Sequence, residues 1–496
     1  MKVLFYMPGP FYEPHFGAFL DEAEKLRRGG NEIYMLLSNG IFDIGDTGSK
    51  NLKECPFCVR YSRKYIKKVS EDFHINTIES YMARTIKYKR FKYDSVLDIK
   101  KINYKGAKIG FACLSTYISR TRNFEPLINE NFRLDFDELL FHSSILTDGI
   151  EKAINDIKPN LVYLFNGRFF DSRPVFDIAR KRKIDTRCMD VAVFSNNIFV
   201  KQISKNAMLH NIKENISQTN NSWDLSSISL KNKTITAKDY FQKRRSGIYT
   251  DGFVYVKNQK KGLLPEGFDR NKQNIAIFNT SEDEYAAIDD EFDKLSLFKT
   301  QIEGLEYIFN TFKNNGKIHF YLRIHPNLSG IKYKYHTDLY LFPKKYNNVT
   351  VIPPDSKISS YSLLDAVEKV ITFGSSMGVE ANYWNKPSIL LSGSIYYYLN
   401  ICYKPKNRSQ LKKMIVLKLK LKDKTDALKY AFYYTDKDPQ KLPKHVDFTM
   451  HHFNFLGWNI RTSNYKKLFG SPRLFSLYLA VKERLYGHAK KHQIKF

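Results

Sequence analysis

The stretch FGSSMGVEANYWNKPSILL occupies residues 373–391 and follows the apolar segment AVEKVIT (366–372). Its pattern predicts, in order, a buried strand VITF (370–373), a turn over 374–376, a helix GVEANYW (378–384) and a strand PSILL (387–391). A strand that leads through a helix to the next strand is the repeating unit of an open parallel sheet. The stretch therefore assigns this part of the chain to the α/β class.

Similar units lie before this stretch. Strand patterns occur at NIAIFNT (274–280), KIHFYLRIHPN (317–327) and VTVIPP (349–354), and nearer the N-terminus at KVLFYM (2–7), NEIYMLL (31–37), NLVYLFNG (160–167) and DTRCMDV (185–191). Amphipathic helical segments such as AFLDEAEKLRRGG (18–30) separate several of them. The sequence therefore predicts an α/β fold of two Rossmann-like, doubly wound domains that face a cleft.

The domain boundaries are predicted at changes in composition. We expect a first domain with helical insertions over 1–245, a second over 246–405, and a basic helical region over 406–496 that packs back on the domains or on a membrane. Residues 201–245 are rich in Asn, Ser and Lys with weak periodicity, which is typical of a solvated helical insertion or linker.

The charge balance points to an anionic partner. The 496 residues carry 80 Lys and Arg against 51 Asp and Glu, a formal net charge of +29. Nucleic acid, anionic lipid and phosphorylated ligands all suit such an excess. The basic tail 461–496 contains LFSLYLAVKERLYG, which is amphipathic at helical spacing. This helix would lie either on an anionic leaflet or across the two domains.

Cysteine content and hydropathy place the protein in the cytosol. Five cysteines are a sparse and odd set, which argues against a secreted disulfide framework. Cys55 and Cys58 form one C-x-x-C pair, whereas structural zinc needs four ligands, so no metal is expected. The apolar run after Lys2 is too short for a signal peptide, and no window is apolar enough to span a bilayer.

The turn after VITF is a candidate phosphate site. Gly374 allows close approach of a ligand, Ser375 and Ser376 offer hydroxyl groups, and the helix that contains Gly378 would present amide groups at its start. Glu380, about one turn into that helix, is placed to accept hydrogen bonds from ribose hydroxyls. The alternative is an ordinary serine cap with a favourable first-turn acid.

Two other strand ends in the second domain carry polar groups. YLRIHPN places Arg323, His325 and Pro326 at the end of a strand, where the proline ends the ladder and the imidazole reaches a phosphate or a base. The alternative is a strand-end histidine without a role. Ser281 and Glu282 follow the strand at 274–278 and would either cap a helix or line the sugar of the donor.

Candidate groups for an acceptor lie at strand ends of the first domain. Glu13 and His15 follow the first strand, and Asn166, Arg168, Asp171 and Arg173 follow the strand at 160–165. A carboxylate or an imidazole there would deprotonate an acceptor hydroxyl, for which we consider Glu13, His15 and Asp171. The arginines would hold an anionic group. The alternative is that Asp171 caps the helix near Pro174.

Together these motifs resemble the donor half of GT-B glycosyltransferases of bacterial capsule and lipopolysaccharide synthesis. The likeness covers roughly 270–400, and the segment 2–37 also looks like the first unit of the acceptor half. His325-Pro326 and Ser375-Ser376 match the HP and double-serine motifs with which sialyl- and Kdo-type transferases hold the CMP part of the donor. Glu380-Ala381, followed by Asn385-Lys386-Pro387, matches a ribose-binding run in which Asn385 replaces the usual glycine. The acidic pair with glycine that supplies the base in the sialyl group has no clear counterpart.

The resemblance implies a glycosyltransferase that moves a sugar from a nucleotide-activated donor to a bacterial surface glycan. A CMP-sugar is favoured over UDP and GDP donors, no metal or other cofactor is expected, and the acceptor would be a lipid-linked glycan. The enzyme would be cytoplasmic, near the anionic face of the inner membrane through its basic tracts at 404–424 and 461–496. Two alternatives remain: a transferase of polyol phosphate from a CDP-alcohol, and a non-enzymatic nucleic-acid-binding protein, which lacks a recognisable reading module.

Overall fold

Two open sheets of mainly parallel strands dominate the protein. The computed structural model describes residues 1–7, 15–38, 63, 66–83, 88–193, 199–248, 258–435, 452–455 and 458–461. The strands are β1 Lys2–Met7, β2 Glu32–Leu37, β3 His74–Thr77, β4 Leu161–Phe165, β5 Asp185–Val193, β6 Phe199–Lys205, β7 Gln273–Phe278, β8 Ile318–Arg323, β9 Val349–Ile352, β10 Lys369–Thr372, β11 Ser388–Leu390, β12 His452–Phe455 and β13 Trp458–Arg461. The last two form a separate antiparallel pair.

Helices connect most of these strands. They are α1 His15–Arg28, α2 Val96–Lys101, α3 Ile109–Thr121, α4 Glu130–Ile157, α5 Arg173–Lys181, α6 Ile212–Asp224, α7 Leu230–Arg245, α8 Asp290–Lys294, α9 Gln301–Phe312, α10 Lys334–Thr337, α11 Phe342–Lys345, α12 Ser360–Ala366, α13 Met377–Tyr383, α14 Arg408–Val416 and α15 Thr425–Thr435. Within the described ranges no helix is long and apolar enough to cross a membrane.

The first sheet has the strand order β3-β2-β1-β4-β5-β6. All its pairs are parallel except β5 with β6. Val3 and Phe5 of β1 pack on one face with side chains of α1, and Leu4 and Tyr6 pack on the other face with side chains of α4 and α5. Burial of both faces explains why β1 reads as a continuous apolar run.

The second sheet has the order β11-β10-β7-β8-β9, and all its pairs are parallel. Ile275 and Ile277 of β7 join a core with α9 and α14, while Ala276 and Phe278 face a core that contains residues of α12. The strand order reverses between β1 and β4 in the first sheet and between β7 and β10 in the second. Both sheets therefore have the doubly wound arrangement in which ligands bind beyond the carboxyl ends of strands. The predicted fold class is confirmed by these two sheets.

Part of the region predicted as a solvated insertion is packed. The helices α6 and α7 contribute Trp223, Tyr240 and Phe241 to a core shared with α13 and α15, so they pack against the second half of the chain. The ring of Phe241 stacks on Tyr383 with 3.9 Å between centroids. Strands β3 and β6 were not predicted either, because residues 50–100 and 201–245 lack a strand pattern.

Candidate active site

The carboxyl ends of β7, β8 and β10 form one edge of the second sheet. The backbone N–H of His325, after β8, donates to Asn279 Oδ1 at 2.7 Å. A Cβ placed on Gly374, after β10, would lie 3.6 Å from Thr280 Cγ2. The loop 279–280 after β7 therefore lies between the imidazole and the serine turn. Because neighbouring strands are about 4.8 Å apart, the two features are separated by roughly 10 Å, a span that suits a nucleoside phosphate.

The imidazole of His325 is a neutral hydrogen-bond donor at neutral pH. Its Nδ1 accepts the backbone N–H of Asn327 at 3.2 Å, so the proton of the neutral ring lies on Nε2. Burial lowers the pKa of His325 to about 4; Asp283 opposes this shift, and the positive charges of Arg122 and Arg323 add to it. His325 can therefore donate to an anionic oxygen without carrying a charge of its own.

The serine turn is held by its own hydroxyl and backbone groups. Gly374 has φ +118°, a conformation that L side chains rarely adopt. Thr372 Oγ1 accepts the backbone N–H of Ser375 at 2.8 Å. Ser375 Oγ accepts the backbone N–H of Met377 at 3.3 Å, and the Ser375 carbonyl accepts that of Gly378 at 3.0 Å. Two of the helix amides predicted to hold phosphate thus donate within the turn, which leaves the half-buried hydroxyls of Ser375 and Ser376 as donors.

A cation that the sequence analysis missed lies beside this turn. Arg244, near the end of α7, donates to Glu380 Oε1 at 2.9 Å and to Ser376 Oγ at 3.4 Å. Glu380 is 1% exposed, and its other oxygen accepts the hydroxyl of Tyr361. Both carboxylate oxygens of Glu380 therefore have protein partners. Its role in binding ribose stays a prediction. The paired arginines in YFQKRRSG are a signal for a cationic site, but the weak periodicity of 201–245 predicts a solvated segment there.

Arg323 and Pro326 contribute to the backbone structure of this edge. The Arg323 guanidinium is 2% exposed and donates to the backbone carbonyls of Pro353 and Ser356, and its burial lowers its pKa to about 10. Arg323 therefore fixes the loop after β9 and adds positive potential near His325 without facing open space. Pro326 begins a short 3-10 turn that ends at Leu328.

Close packing under the turn predicts a large effect of one methyl group. A Cβ on Gly378 would lie 2.8 Å from the Tyr396 hydroxyl and 2.9 Å from Thr372 Cγ2. We expect Gly378→Ala to reduce the free energy of unfolding by about 1–3 kcal/mol, measured by urea denaturation, because α13 must shift. Gly316→Ala, with nothing within 4 Å, should change it by less than about 0.5 kcal/mol. Equal effects of the two variants would contradict the packing described here.

An ion-pair cluster joins the two halves beside His325. Arg122, at the end of α3, donates to Ser281 Oγ at 2.8 Å and to the Asn327 carbonyl at 3.1 Å, and it pairs with Asp283. Ser281 is 1% exposed, and its hydroxyl, predicted to bind sugar, instead accepts a hydrogen bond from Arg122 at this joint between the two halves of the chain. No local pattern points to Arg122, because its contact with Ser281 joins residues about 160 positions apart.

Glu282 lies in the same cluster and is half-buried. Burial raises its pKa to about 8; the backbone of Gln301, which donates to its Oε1 at 3.0 Å, opposes this shift, and Glu125 adds to it. The folded protein therefore holds this proton at a pH where the unfolded chain, with a pKa of about 4.3, has lost it. Its contribution to stability is complete below the unfolded pKa and is lost as the pH rises through about 8.

We expect Glu282→Gln to remove this pH dependence. Between pH 5 and pH 8 the Tm of the wild type should fall relative to that of the variant by a few degrees, as read by differential scanning fluorimetry. The exposed Glu266→Gln is the matched control and should track the wild type. Parallel Tm curves for wild type and Glu282→Gln would show that the carboxyl is ionised throughout this range.

The first sheet brings a second polar cluster to its carboxyl edge. His15, the first residue of α1, binds Asp190 of β5 with 2.5 Å between Nε2 and Oδ1. Asn166, just after β4, donates from Nδ2 to Asp190 Oδ2 at 2.9 Å. Burial acts to raise the pKa of Asp190, but the bonds from His15 and Asn166 hold it below its usual value. Asp190 was missed because one acid in DTRCMDV gives no signal of its own.

The other predicted acceptor residues have different placements. Arg168 donates to the Glu284 carbonyl across the joint at 2.9 Å, and Arg173, which is 2% exposed, binds Asp177 and the Ile288 carbonyl. Asp171 is half-buried. The helix cap after it is Ser172, so the capping alternative for Asp171 is not observed. The predicted base Glu13, the C-x-x-C pair and the tail 462–496 lie outside the described residues.

No group of three or more His, Cys, Asp and Glu side chains is arranged to hold a metal ion within the described ranges. The arrangement instead offers neutral and cationic donors on the second sheet and an imidazole–carboxylate pair on the first. An anionic ligand and a hydroxyl-bearing ligand, respectively, suit these two edges.

Known proteins resemble the chain only in structure. No protein-family profile and no curated protein matches the sequence. Similar solved structures include the KpsC β-Kdo 2,4-transferase of Thermosulfurimonas dismutans, with 13% identity and a TM-score of 0.37 over 56% of this chain and 79% of that one. The UDP-GlcNAc 2-epimerase of Methanocaldococcus jannaschii has 12% identity and a TM-score of 0.27, covering 87% and 98% of the two chains. The calicheamicin glycosyltransferase CalG4 has 10% identity and a TM-score of 0.25, covering 90% and 96%.

Proposed function

We propose that the protein is a glycosyltransferase that moves a sugar from a nucleotide-activated donor to a hydroxyl of a bacterial surface glycan. The observation that carries the proposal is the shared edge of β7, β8 and β10, where a neutral imidazole donor, two serine hydroxyls and a guanidinium surround one loop. The motif resemblance favours a CMP-sugar, and UDP and GDP donors are the alternatives for the test below.

On the donor side, the protein stabilises the departing phosphate by hydrogen bonds and charge. The Nε2–H of His325 and the hydroxyls of Ser375 and Ser376 donate to phosphate oxygens, and Arg244 contributes positive charge from its place beside Ser376. Donors fixed in advance by the fold act on the charge that develops as the sugar–phosphate bond breaks. In this proposal these groups need no bound metal ion to balance the nucleotide.

On the acceptor side, we assign the base to His15 among Glu13, His15 and Asp171, because its imidazole pairs with the Asp190 carboxylate. Because Nε2 of the neutral ring donates to Asp190, the lone pair that takes up a proton lies on Nδ1. As the acceptor oxygen bonds to the anomeric carbon, its proton passes to His15, and the donor phosphate leaves with the electrons of the broken bond. The Asp190 carboxylate stabilises the imidazolium that results.

The acceptor is proposed to be lipid-linked and presented at an anionic membrane surface. The segment 404–424 supports this, because Val416, Leu417 and Leu421 are 50%, 58% and 55% exposed and stand among exposed lysines. Aliphatic side chains between cations suit the headgroup region of anionic lipid. The tail 461–496 would add to this attraction through its charge.

A thermal-shift panel tests the donor proposal. CMP, CDP, UDP and GDP are compared on the wild type, on Ser376→Ala and on Ser226→Ala, a serine outside the proposed site. A ligand raises Tm according to the ratio of its concentration to Kd, so the correct nucleotide should give the largest shift. Ser376→Ala should reduce that shift, while Ser226→Ala should not. No shift with any nucleotide would contradict the proposal. A separate mass-spectrometric analysis of the transfer product distinguishes the alternative, because a product that retains phosphate would indicate polyol-phosphate transfer.

A further inference from the structure

Two buried polar atoms at the carboxyl edge of the first sheet have no hydrogen-bond partner within the part of the chain that the structure describes. Asn166 Oδ1 and His210 Nδ1 are both buried, and neither has a partner among the described residues. Asn166 as a whole is 3% exposed. Because most buried polar atoms in proteins are paired, two such atoms near one carboxylate indicate a ligand that completes them.

The backbone at this edge brings the segment after β6, which contains His210, against the end of β4. Asn166 and Gly167 have φ values of 53° and 93°, so the chain turns sharply over the end of β4. A Cβ on Gly167 would lie 3.2 Å from Met208 Cγ, so the segment after β6 packs directly on this turn. Burial lowers the pKa of His210, the charge of Arg168 adds to this shift and that of Asp190 opposes it, so the imidazole lies within electrostatic range of both residues.

The unpaired atoms are suited to hydroxyl groups. Asn166 Nδ2 donates to the Asp190 carboxylate, which fixes Oδ1 as an acceptor directed elsewhere. Burial, with the nearby charge of Arg168, keeps His210 neutral at neutral pH, so its ring offers one acceptor and one donor. The Arg168 guanidinium donates to the Glu284 carbonyl at 2.9 Å. Acceptor atoms next to the negative Asp190 favour a neutral ligand with O–H donors over an anion.

We propose that Asn166 and His210 form a subsite for a neutral, polyhydroxylated sugar of the acceptor, with Asp190 and His15 at its base. This inference rests on the proposed function and deepens it. It assigns to His210 a binding role and restricts the sugar at this position to one without a carboxylate or a phosphate. The cleft is then divided between an anion-binding edge on the second sheet and a hydroxyl-binding edge on the first.

Saturation-transfer NMR tests the subsite with defined probes. The full-length protein is mixed with methyl glycosides of neutral hexoses and, separately, with the corresponding uronic acids. The wild type should transfer saturation to at least one neutral glycoside and, for the same sugar, several-fold less to its uronate. Asn166→Ala and His210→Phe should each weaken neutral-glycoside binding by about tenfold, the value of one lost hydrogen bond to a buried partner.

The matched control for Asn166→Ala is Asn314→Ala, since Asn314 is exposed in the turn after α9 and belongs to neither proposed binding edge. It should bind the glycosides as the wild type does. Equal binding by wild type, Asn166→Ala and His210→Phe would overturn the subsite, as would preference for uronates or no transfer to any glycoside. The nucleotide-induced Tm shift is measured on the same samples: if it persists while glycoside binding fails, only the subsite is wrong, and its absence contradicts the proposed function itself.

Discussion

Replacing His325 with Asn should lower kcat by roughly a hundred- to a thousand-fold while the protein stays folded. Removal of one donor that stabilises a departing or developing anion typically costs this much. The Asn side chain still reaches the place of Nδ1, where it accepts the backbone N–H of Asn327, but it offers nothing at the position of Nε2. The fall should persist from pH 6 to pH 8, because the pKa of His325 lies at about 4 and the ring is neutral throughout.

The matched variant is His325→Gln, whose amide N–H lies near the position of Nε2. It should retain several-fold more activity than His325→Asn, with a Tm within a few degrees of it. The measurement is the transfer rate with the nucleotide-sugar identified by the panel, together with the Tm of each variant. Equal activities of the two variants, or wild-type activity of either, would show that the Nε2 donor does not act on the leaving group.

Replacing Arg244 with Ala should have the largest effect on stability. Glu380, with a side chain 2% exposed, would lose its charged partner and leave a carboxylate buried next to the Tyr361 hydroxyl. Removing one partner of a buried pair costs about 3–5 kcal/mol, measured here by urea denaturation. Nucleotide binding should weaken as well, because the same guanidinium lies 3.4 Å from Ser376 Oγ.

The next residue in the chain supplies the control. Arg245 pairs with Asp365, whose side chain is 51% exposed, and such a surface pair contributes about 0–1 kcal/mol. Arg245→Ala should therefore change stability little. The double variant Arg244→Met with Glu380→Gln should recover much of the loss from Arg244→Ala, because no charge remains buried. A loss no larger for Arg244→Ala than for Arg245→Ala would contradict the buried pair.

The sequence was sufficient to predict the fold where patterns are local. VITF and KVLFYM read as buried strands because both faces of their sheets are covered, and β10 and β1 lie at those positions within one residue. The strand β6 was missed, since Lys201, Gln202 and Lys205 interrupt its apolar pattern at the sheet edge. The α6–α7 hairpin was judged solvated because only a few of its residues, Trp223 and Phe241 among them, make the contacts that hold it.

The residues of the candidate site likewise differ in whether local sequence patterns point to them. His325 and the serine turn were predicted because each follows an apolar strand directly, so their place at a sheet edge needs only local information. Arg244 and Asp190 were not predicted, because each acquires its meaning from a partner more than 100 positions away: Glu380 for Arg244 and His15 for Asp190. Arg173 has the charge of a ligand-binding residue, but its burial in the joint between the halves was not visible in the sequence.

We expect the donor nucleotide to bind at the edge formed by β7, β8 and β10. Hydrogen–deuterium exchange with and without the stabilising nucleotide tests it most directly. Peptides that cover 279–284, 323–329 and 373–380 should exchange more slowly when the nucleotide is bound, while peptides within α4 should not change. Protection confined to the first sheet, or none at the 323–329 and 373–380 peptides under saturating nucleotide, would contradict the account.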